Sequence, residues 1–302
     1  MTPLRYVDRA SGEWRRERVH AHRFLDWLYN TRSGRLATGV LVRSSHFSRL
    51  YGWLQRRRWS RRRIRPFVEG MGVDMTGSVK SLGEFETFAD FFTRRLHPWA
   101  RPIVDDERVC VSPADGRVLV YPRLDRRERF RIKRTAFQLD GLLRDEALAE
   151  SFHRGSMAVV RLGLADYHHV HFPDSGVPSP ARAIPGAYHA GGPYALRHLV
   201  PFYTENHRMV TPFFSDHFGA MAIVEVGALT VGSIRQAYSP DTPVGRGEHK
   251  AGFEPGGSTV VLLFRPGAIE WDDDLVARSR QELEVHVRWG DSLGRVPEGR
   301  TS

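Results

Sequence analysis

Phe253-Glu254-Pro255-Gly256-Gly257-Ser258-Thr259 runs directly into Val260-Val261-Leu262-Leu263-Phe264. A Pro/Gly turn followed by an unbroken apolar run reads as a loop entering a buried strand. Short β-like runs recur from about residue 100: Val109–Val111, Val118–Tyr121, Met157–Leu162, Ala222–Val226, Val231–Ile234 and Thr259–Phe264. Clusters of Gly, Pro, Asp and Ser separate them, which predicts a mainly antiparallel β domain. The turn also carries chemistry. Gly257 leaves its carbonyl open to approach, and the Ser258 hydroxyl is the only nucleophile needed to cut the bond between them. Most Gly-Gly-Ser-Thr stretches are ordinary loops, so other segments must decide.

Outside the β region the chain is basic. Residues 1–70 hold 17 Lys+Arg against 5 Asp+Glu, whereas the other 232 hold 28 against 30. The basic side chains are nearly all Arg, which suits bidentate phosphate contacts and also fits a GC-rich genome. Residues 20–70 read as helical. Phe24, Leu25, Trp27 and Leu28 are closely spaced, and Phe47, Leu50, Tyr51 and Leu54 follow an i, i+3, i+4, i+7 pattern. Then comes Arg56-Arg57-Arg58-Trp59-Ser60-Arg61-Arg62-Arg63-Ile64-Arg65, closed by Pro66. Three readings fit this run: a helix on an anionic membrane surface, a solvated basic face, or a nucleic-acid arm. A second amphipathic stretch, Phe85–Leu96, is expected to stop at Pro98.

At 302 residues the chain holds one large domain or two modest ones. Its single cysteine, Cys110, sits in an apolar run, reads as packing, and excludes an intramolecular disulfide. Met1-Thr2-Pro3-Leu4-Arg5 has no apolar run behind it, so no signal peptide is expected. No apolar run is long enough to span a bilayer. The charged stretch 122–135 reads as a solvated loop or hairpin. The polar, Gly-rich residues 291–302 read as a disordered tail.

Two further segments carry functional side chains. In Ser112-Pro113-Ala114-Asp115-Gly116-Arg117-Val118, Asp115 falls between two strands, where Asp-Gly is also a common hairpin turn. In Asp166-Tyr167-His168-His169-Val170-His171-Phe172-Pro173, three histidines fall among four residues. They can serve as a general base, as metal ligands or as structural side chains. No HExxH pattern or cysteine pair supports a metal, and an extended segment would point His168 and His171 to opposite faces. Together the segments supply a hydroxyl, an imidazole and a carboxylate, the parts of a Ser-His-Asp relay.

At roughly residues 85–270 the chain resembles the pyruvoyl-dependent phosphatidylserine decarboxylase family, bacterial type. The resemblance runs through Phe91-Phe92-Thr93-Arg94-Arg95-Leu96 and Ala100-Arg101-Pro102-Ile103. It continues through the Asp115 and histidine segments and Asn206-His207-Arg208. It then takes in Phe218-Gly219-Ala220-Met221-Ala222, Val226-Gly227-Ala228 and Val231-Gly232-Ser233-Ile234, and ends in Gly257-Ser258-Thr259. Three positions depart from it: Gly256 stands where Leu is frequent, His169 where Arg is, and His207 where Glu is.

The resemblance implies an α+β fold in which amphipathic N-terminal helices precede the β-rich catalytic domain. The expected division is a basic, helical membrane-associating region at 1–98, the decarboxylase domain at 99–290, and the tail. It implies that Asp115 orients His171 and that His171 activates Ser258. Ser258 then attacks Gly257, and the chain separates into a β chain to 257 and an α chain from 258. A pyruvoyl group formed from Ser258 would be the cofactor, with no metal and no pyridoxal phosphate. It would hold phosphatidylserine as a Schiff base, and His168 would return a proton after carbon dioxide leaves. The product would be phosphatidylethanolamine, a step of phospholipid synthesis. The expected setting is peripheral, on the cytoplasmic face of the cell membrane. The expected partners are an anionic membrane surface and a second copy in a homodimer, with no nucleic acid. The rival readings are a pyruvoyl decarboxylase of a soluble amino acid and a cleavage-dead membrane-binding homologue.

Overall fold

A computed structural model describes residues 5–18, 26–27, 31, 33–34, 45–124, 130–132, 135–189, 202–228, 234–256 and 258–299, with backbone alone at 45–49, 130–132 and 135–137. Nearest the N-terminus lie β1 (Arg5–Asp8), β2 (Trp14–Arg16) and α1 (Ser45–Gln55). A 3-10 turn (Arg58–Arg63), α2 (Ile64–Met71) and α3 (Phe88–Phe92) follow. Then come β3 (Val109–Val111), β4 (Gly116–Tyr121), β5 (Phe130–Ile132), β6 (Thr135–Phe137), β7 (Ser156–Leu162), β8 (His169–His171), β9 (Gly176–Pro178) and β10 (Arg182–Ile184). The last strands are β11 (Arg208–Ser215), β12 (Gly219–Gly227), β13 (Ile234–Gln236), β14 (His249–Phe253), β15 (Ser258–Phe264), β16 (Glu270–Trp271), β17 (Glu284–Val287) and β18 (Ser292–Arg295).

Ten strands form the main sheet, in the order β10-β11-β12-β15-β7-β4-β17-β1-β2, with β9 also on β11. Among the described pairs all are antiparallel except β1 with β17. β15 lies between β12 and β7 in the middle of this sheet. Its continuous apolar run follows from burial on both faces, which removes any need for polar alternation. Successive residues divide between the faces with the period of two that a strand imposes. Val261 and Leu263 pack with Leu142, Phe152 and Phe202. Val260, Leu262 and Phe264 pack with Val170, Phe172 and Phe253. Ser258, two residues before Val260, therefore belongs to the second face. That face is covered by the small sheet β13-β14-β8, which carries the histidine segment.

The helices have their own aromatic core. Ile64, Phe67, Phe85, Phe88, Phe91 and Phe92 are buried together, with Phe67 and Phe88 edge to face at 5.1 Å. Thr87 caps α3 by accepting the Asp90 N–H at 3.1 Å.

Several expectations need correction. Residues 291–302 are not a disordered tail through most of their length. Ser292–Arg295 pair with β3 and β16, and Leu293 is fully buried. Local polarity hid a strand that lies between a nearby partner, β16, and a distant one, β3. The stretch 1–98 is not wholly helical either, since β1 and β2 extend the main sheet. Pro66 ends the arginine run in the sequence but does not end the helical segment. It sits in the first turn of α2, where the missing N–H costs nothing. The expected Phe85–Leu96 helix spans only Phe88–Phe92 and ends well before Pro98. Phe24, Leu25, Leu28, Asp125–Arg129, Val231-Gly232-Ser233, Gly257 and 300–302 lie outside the described residues. No described helix is long and apolar enough to cross a membrane.

Candidate active site

Ser258 is the first residue of β15, level with Gly227 at the end of β12 and with Leu162 at the end of β7. Its hydroxyl is buried and has no hydrogen-bond partner. Asn206 fixes the neighbouring strand end by donating to the Gly227 carbonyl at 2.7 Å. The Gly227 N–H donates to the His207 carbonyl at 3.0 Å. The Asn206-His207 pair thus frames the start of β15.

After Leu162 the chain turns through Gly163–Asp166 into the histidines. Asp166 holds the turn by accepting the Gly163 N–H at 2.6 Å and Arg117 Nη1 at 2.8 Å. Burial disfavours its charge, but Arg117 outweighs burial and holds the carboxyl well below its ordinary range. The Asp166 carbonyl then faces His168 Nδ1 at 2.8 Å. A carbonyl only accepts, so Nδ1 carries the proton and Nε2 a bare lone pair. His168 Nε2 is buried without a partner, and its ring packs 4.0 Å from Phe92 of α3. Burial pushes its pKa down to about 3.

His171 repeats this logic three residues further on. Its Nδ1 lies 2.9 Å from the Gly247 carbonyl, and its Nε2 is buried and unpartnered. Burial pushes it down to about 3, and His169 to about 4. Both are neutral near pH 7, and His171 presents Nε2 as a base. His169 is held between the Thr93 carbonyl at 3.1 Å and His249 Nε2 at 2.8 Å. Among the described residues no three His, Cys, Asp or Glu side chains converge as metal ligands would.

The structure brings Asp115 and His171 together only indirectly. Their backbones meet, since the His171 N–H donates to the Pro113 carbonyl at 2.8 Å. The Asp115 carboxylate, however, accepts Arg101 Nε at 3.0 Å, Arg101 Nη2 at 2.6 Å and the Trp289 N–H at 2.8 Å. It makes no hydrogen bond to His171, whose Nδ1 is taken by Gly247. Trp289 is the link, because its indole stacks on the His171 ring at 3.7 Å and 14°. Sequence reasoning missed Trp289, Arg101 and Gly247. A lone tryptophan beyond the last apolar strand carried no signal, while Arg101 lay within a family block without a role.

The comparisons with known proteins bear on the family of the chain. The family model for phosphatidylserine decarboxylase matches residues 88–295. The chain belongs to the phosphatidylserine decarboxylase family. It is accordingly an enzyme, a carbon–carbon lyase of the carboxy-lyase class. A phosphatidylserine decarboxylase proenzyme of Chlamydia felis is 41% identical over 295 residues, covering 98% of this chain and 99% of that one. One of Chlamydia trachomatis serovar L2 is 43% identical over 290 residues, covering 96% of each. One of Chlamydia caviae is 40% identical over 295 residues.

Proposed function

We propose that this chain is a self-cleaving precursor whose mature form decarboxylates phosphatidylserine to phosphatidylethanolamine at a membrane surface. The observation that carries the reading is the set of three buried, unpartnered reactive atoms: Ser258 Oγ, His171 Nε2 and His168 Nε2. A buried polar atom without a partner costs roughly 1–3 kcal/mol, so three in one family-matched segment set point to chemistry rather than packing.

In maturation, neutral His171 takes the Ser258 hydroxyl proton at Nε2, and Oγ adds to the Gly257 carbonyl carbon. The peptide C–N bond breaks, the proton passes to the Ser258 nitrogen, and an ester replaces the amide. Loss of the Ser258 Cα proton then expels the Gly257 carboxylate, leaving dehydroalanine. Hydrolysis releases ammonia and leaves pyruvoyl at 258. The donor set fits such a group, because Ser258 heads a buried strand on the face covered by the histidine sheet. A pyruvoyl ketone supplies an electrophilic carbonyl for the substrate amine and an electron sink for the departing carbon dioxide. His168, just before the strand that carries His171, holds the proton returned to the substrate carbon. The anionic substrate raises its pKa from the depressed value on arrival. Asp115 acts on His171 through Trp289, whose N–H it accepts and whose indole stacks on the imidazole.

For membrane contact, Arg58, Arg61, Arg62, Arg65 and Trp59 line a cavity of about 470 Å³ beside Ile64. Leu50, Trp53 and Trp59 are 56%, 48% and 51% exposed, and the Arg57 guanidinium lies 3.8 Å over the Trp53 ring, so indole rings and guanidinium groups occur together at the surface of this region. That combination suits the headgroup region of an anionic leaflet, with the protein peripheral on the cytoplasmic face.

Mass analysis of three variants tests the assignment. Ser258→Ala is expected to remain one uncut, inactive chain of 302 residues. His171→Ala is expected to stay uncut, and His168→Ala to be cut but inactive. A short fragment from Ser258→Ala, or identical behaviour of the two histidine variants, contradicts the assignment.

A further inference from the structure

The turn that precedes Ser258 is held at both ends. The Phe253 N–H donates to the His168 carbonyl at 3.0 Å, and Ser258 is level with Leu162 and Gly227 in the main sheet. Only Glu254, Pro255, Gly256 and Gly257 span the interval. Gly256 takes φ +154°, a conformation that side chains rarely adopt. Glu254 is the one charged residue in the turn. It is only 9% exposed, and two arginines from distant parts of the chain converge on its carboxylate. Arg56, just beyond α1, donates to Oε1 through Nη2. Arg235 on β13 donates to the same oxygen at 2.9 Å. The α1 helix approaches closely at this point. A Cβ added at Gly52 would stand 3.4 Å from Glu254 Oε2.

We propose that Glu254 is a positioning residue for self-cleavage. Its carboxylate, gripped by Arg56 and Arg235, holds the turn so that the bond before Ser258 stays within reach of the Ser258 hydroxyl. Charge-assisted hydrogen bonds to a mostly buried carboxylate hold geometry better than exposed pairs do. A four-residue span leaves few ways to absorb an error of an ångström in the attacked carbonyl. The proposal makes the N-terminal helical region a part of the cleavage machinery as well as a membrane contact. It rests on the self-cleavage reading above.

The test is a time course of self-cleavage in full-length chain made by cell-free translation without lipid. The appearance of the fragment beginning at residue 258 is followed by mass. Glu254→Gln is expected to mature roughly tenfold more slowly, the equivalent of one lost charge-assisted hydrogen bond. Arg56→Lys and Arg235→Lys, which keep the charges, are expected to recover most of the rate that Arg56→Gln and Arg235→Gln lose. Adding Arg56→Gln to Glu254→Gln is expected to slow cleavage no further, whereas unrelated structural damage would add. Turnover per pyruvoyl group in matured Glu254→Gln is expected to match wild type. A wild type that cuts itself alongside a Glu254→Gln chain maturing equally fast overturns this proposal alone. Additive losses, or a matching fall in turnover, also overturn it. A wild type that never cuts overturns the self-cleavage reading and this proposal together.

Discussion

At the scale of single residues, His168 and His171 illustrate how backbone carbonyls select a tautomer. Each Nδ1 faces a carbonyl, and each Nε2 is left bare in a buried setting. Trp289 holds one of these rings in place, since it stacks on His171 while its N–H binds Asp115. Trp289→Ala is expected to slow maturation by more than tenfold, and Trp289→Phe to keep most of it, because the main-chain bond survives and a ring still covers His171. A mass time course checks this, and equal rates for Ala and wild type would contradict it. Ser258, Asp115 and the histidines stood out as candidates because their segments together offer hydroxyl, carboxylate and imidazole, and the family resemblance supplied their expected roles. Their linkage was not legible. The resemblance implied that Asp115 orients His171, and the Asp115 carboxylate is occupied by Arg101 and the Trp289 N–H. A main-chain N–H donor at residue 289 leaves no mark in the identity of the side chain.

At the scale of elements, the central strands were legible because burial on both faces writes continuous apolar runs. Val109–Val111 matches its strand to the residue, and Thr259–Phe264 misses only Ser258. The short polar strands were not. β1 and β18 are four residues each, too short for periodicity, and each depends on a partner far along the chain. β14 and β12 also carry a buried pair that no local pattern reveals. Lys250 and Glu225 are both fully buried and ion-paired, with Lys250 Nζ also 2.9 Å from Gln236 Oε1. Glu225 lies two residues before Gly227, the strand neighbour of Ser258. Glu225→Ala is expected to destabilise the chain by about 3–5 kcal/mol, because it strands a buried ammonium. Glu225→Ala with Lys250→Met is expected to recover much of that loss. Denaturant titration of both variants in the uncut Ser258→Ala background checks the pair, and equal losses would contradict it.

At the scale of the molecule, the N-terminal region is joined to the catalytic sheet by charge as well as by strands. Arg161 of β7 binds Glu17 and Glu284 through four hydrogen bonds of 2.7–2.9 Å. The expected boundary at residue 98 is therefore bridged by this ion cluster as well as by β1 and β2. The same burial makes stability depend on pH. His168, His169 and His171 are shifted from 6.5 to about 3, 4 and 3. Between those values and 6.5 the unfolded chain binds more protons than the folded one, so stability is lost as pH falls through that window. Glu17 adds to the loss at lower pH. Its burial opposes charge, but Arg161 and Arg117 hold it below its ordinary range. Denaturation midpoints of the Ser258→Ala chain are expected to fall steadily from pH 7 to 4, and flat midpoints would contradict this. Binding to anionic vesicles is expected to weaken as salt rises or when the arginines of 56–65 are replaced by Gln. Sedimentation unchanged by either would contradict the membrane assignment. The central claim, that Ser258 becomes the cofactor by cutting its own chain, is tested most directly by the intact mass of the purified protein. The account predicts two chains, residues 1–257 and a 45-residue partner that begins with pyruvoyl at position 258. A single chain of 302 residues with an unmodified serine, in a preparation that decarboxylates phosphatidylserine, would contradict it.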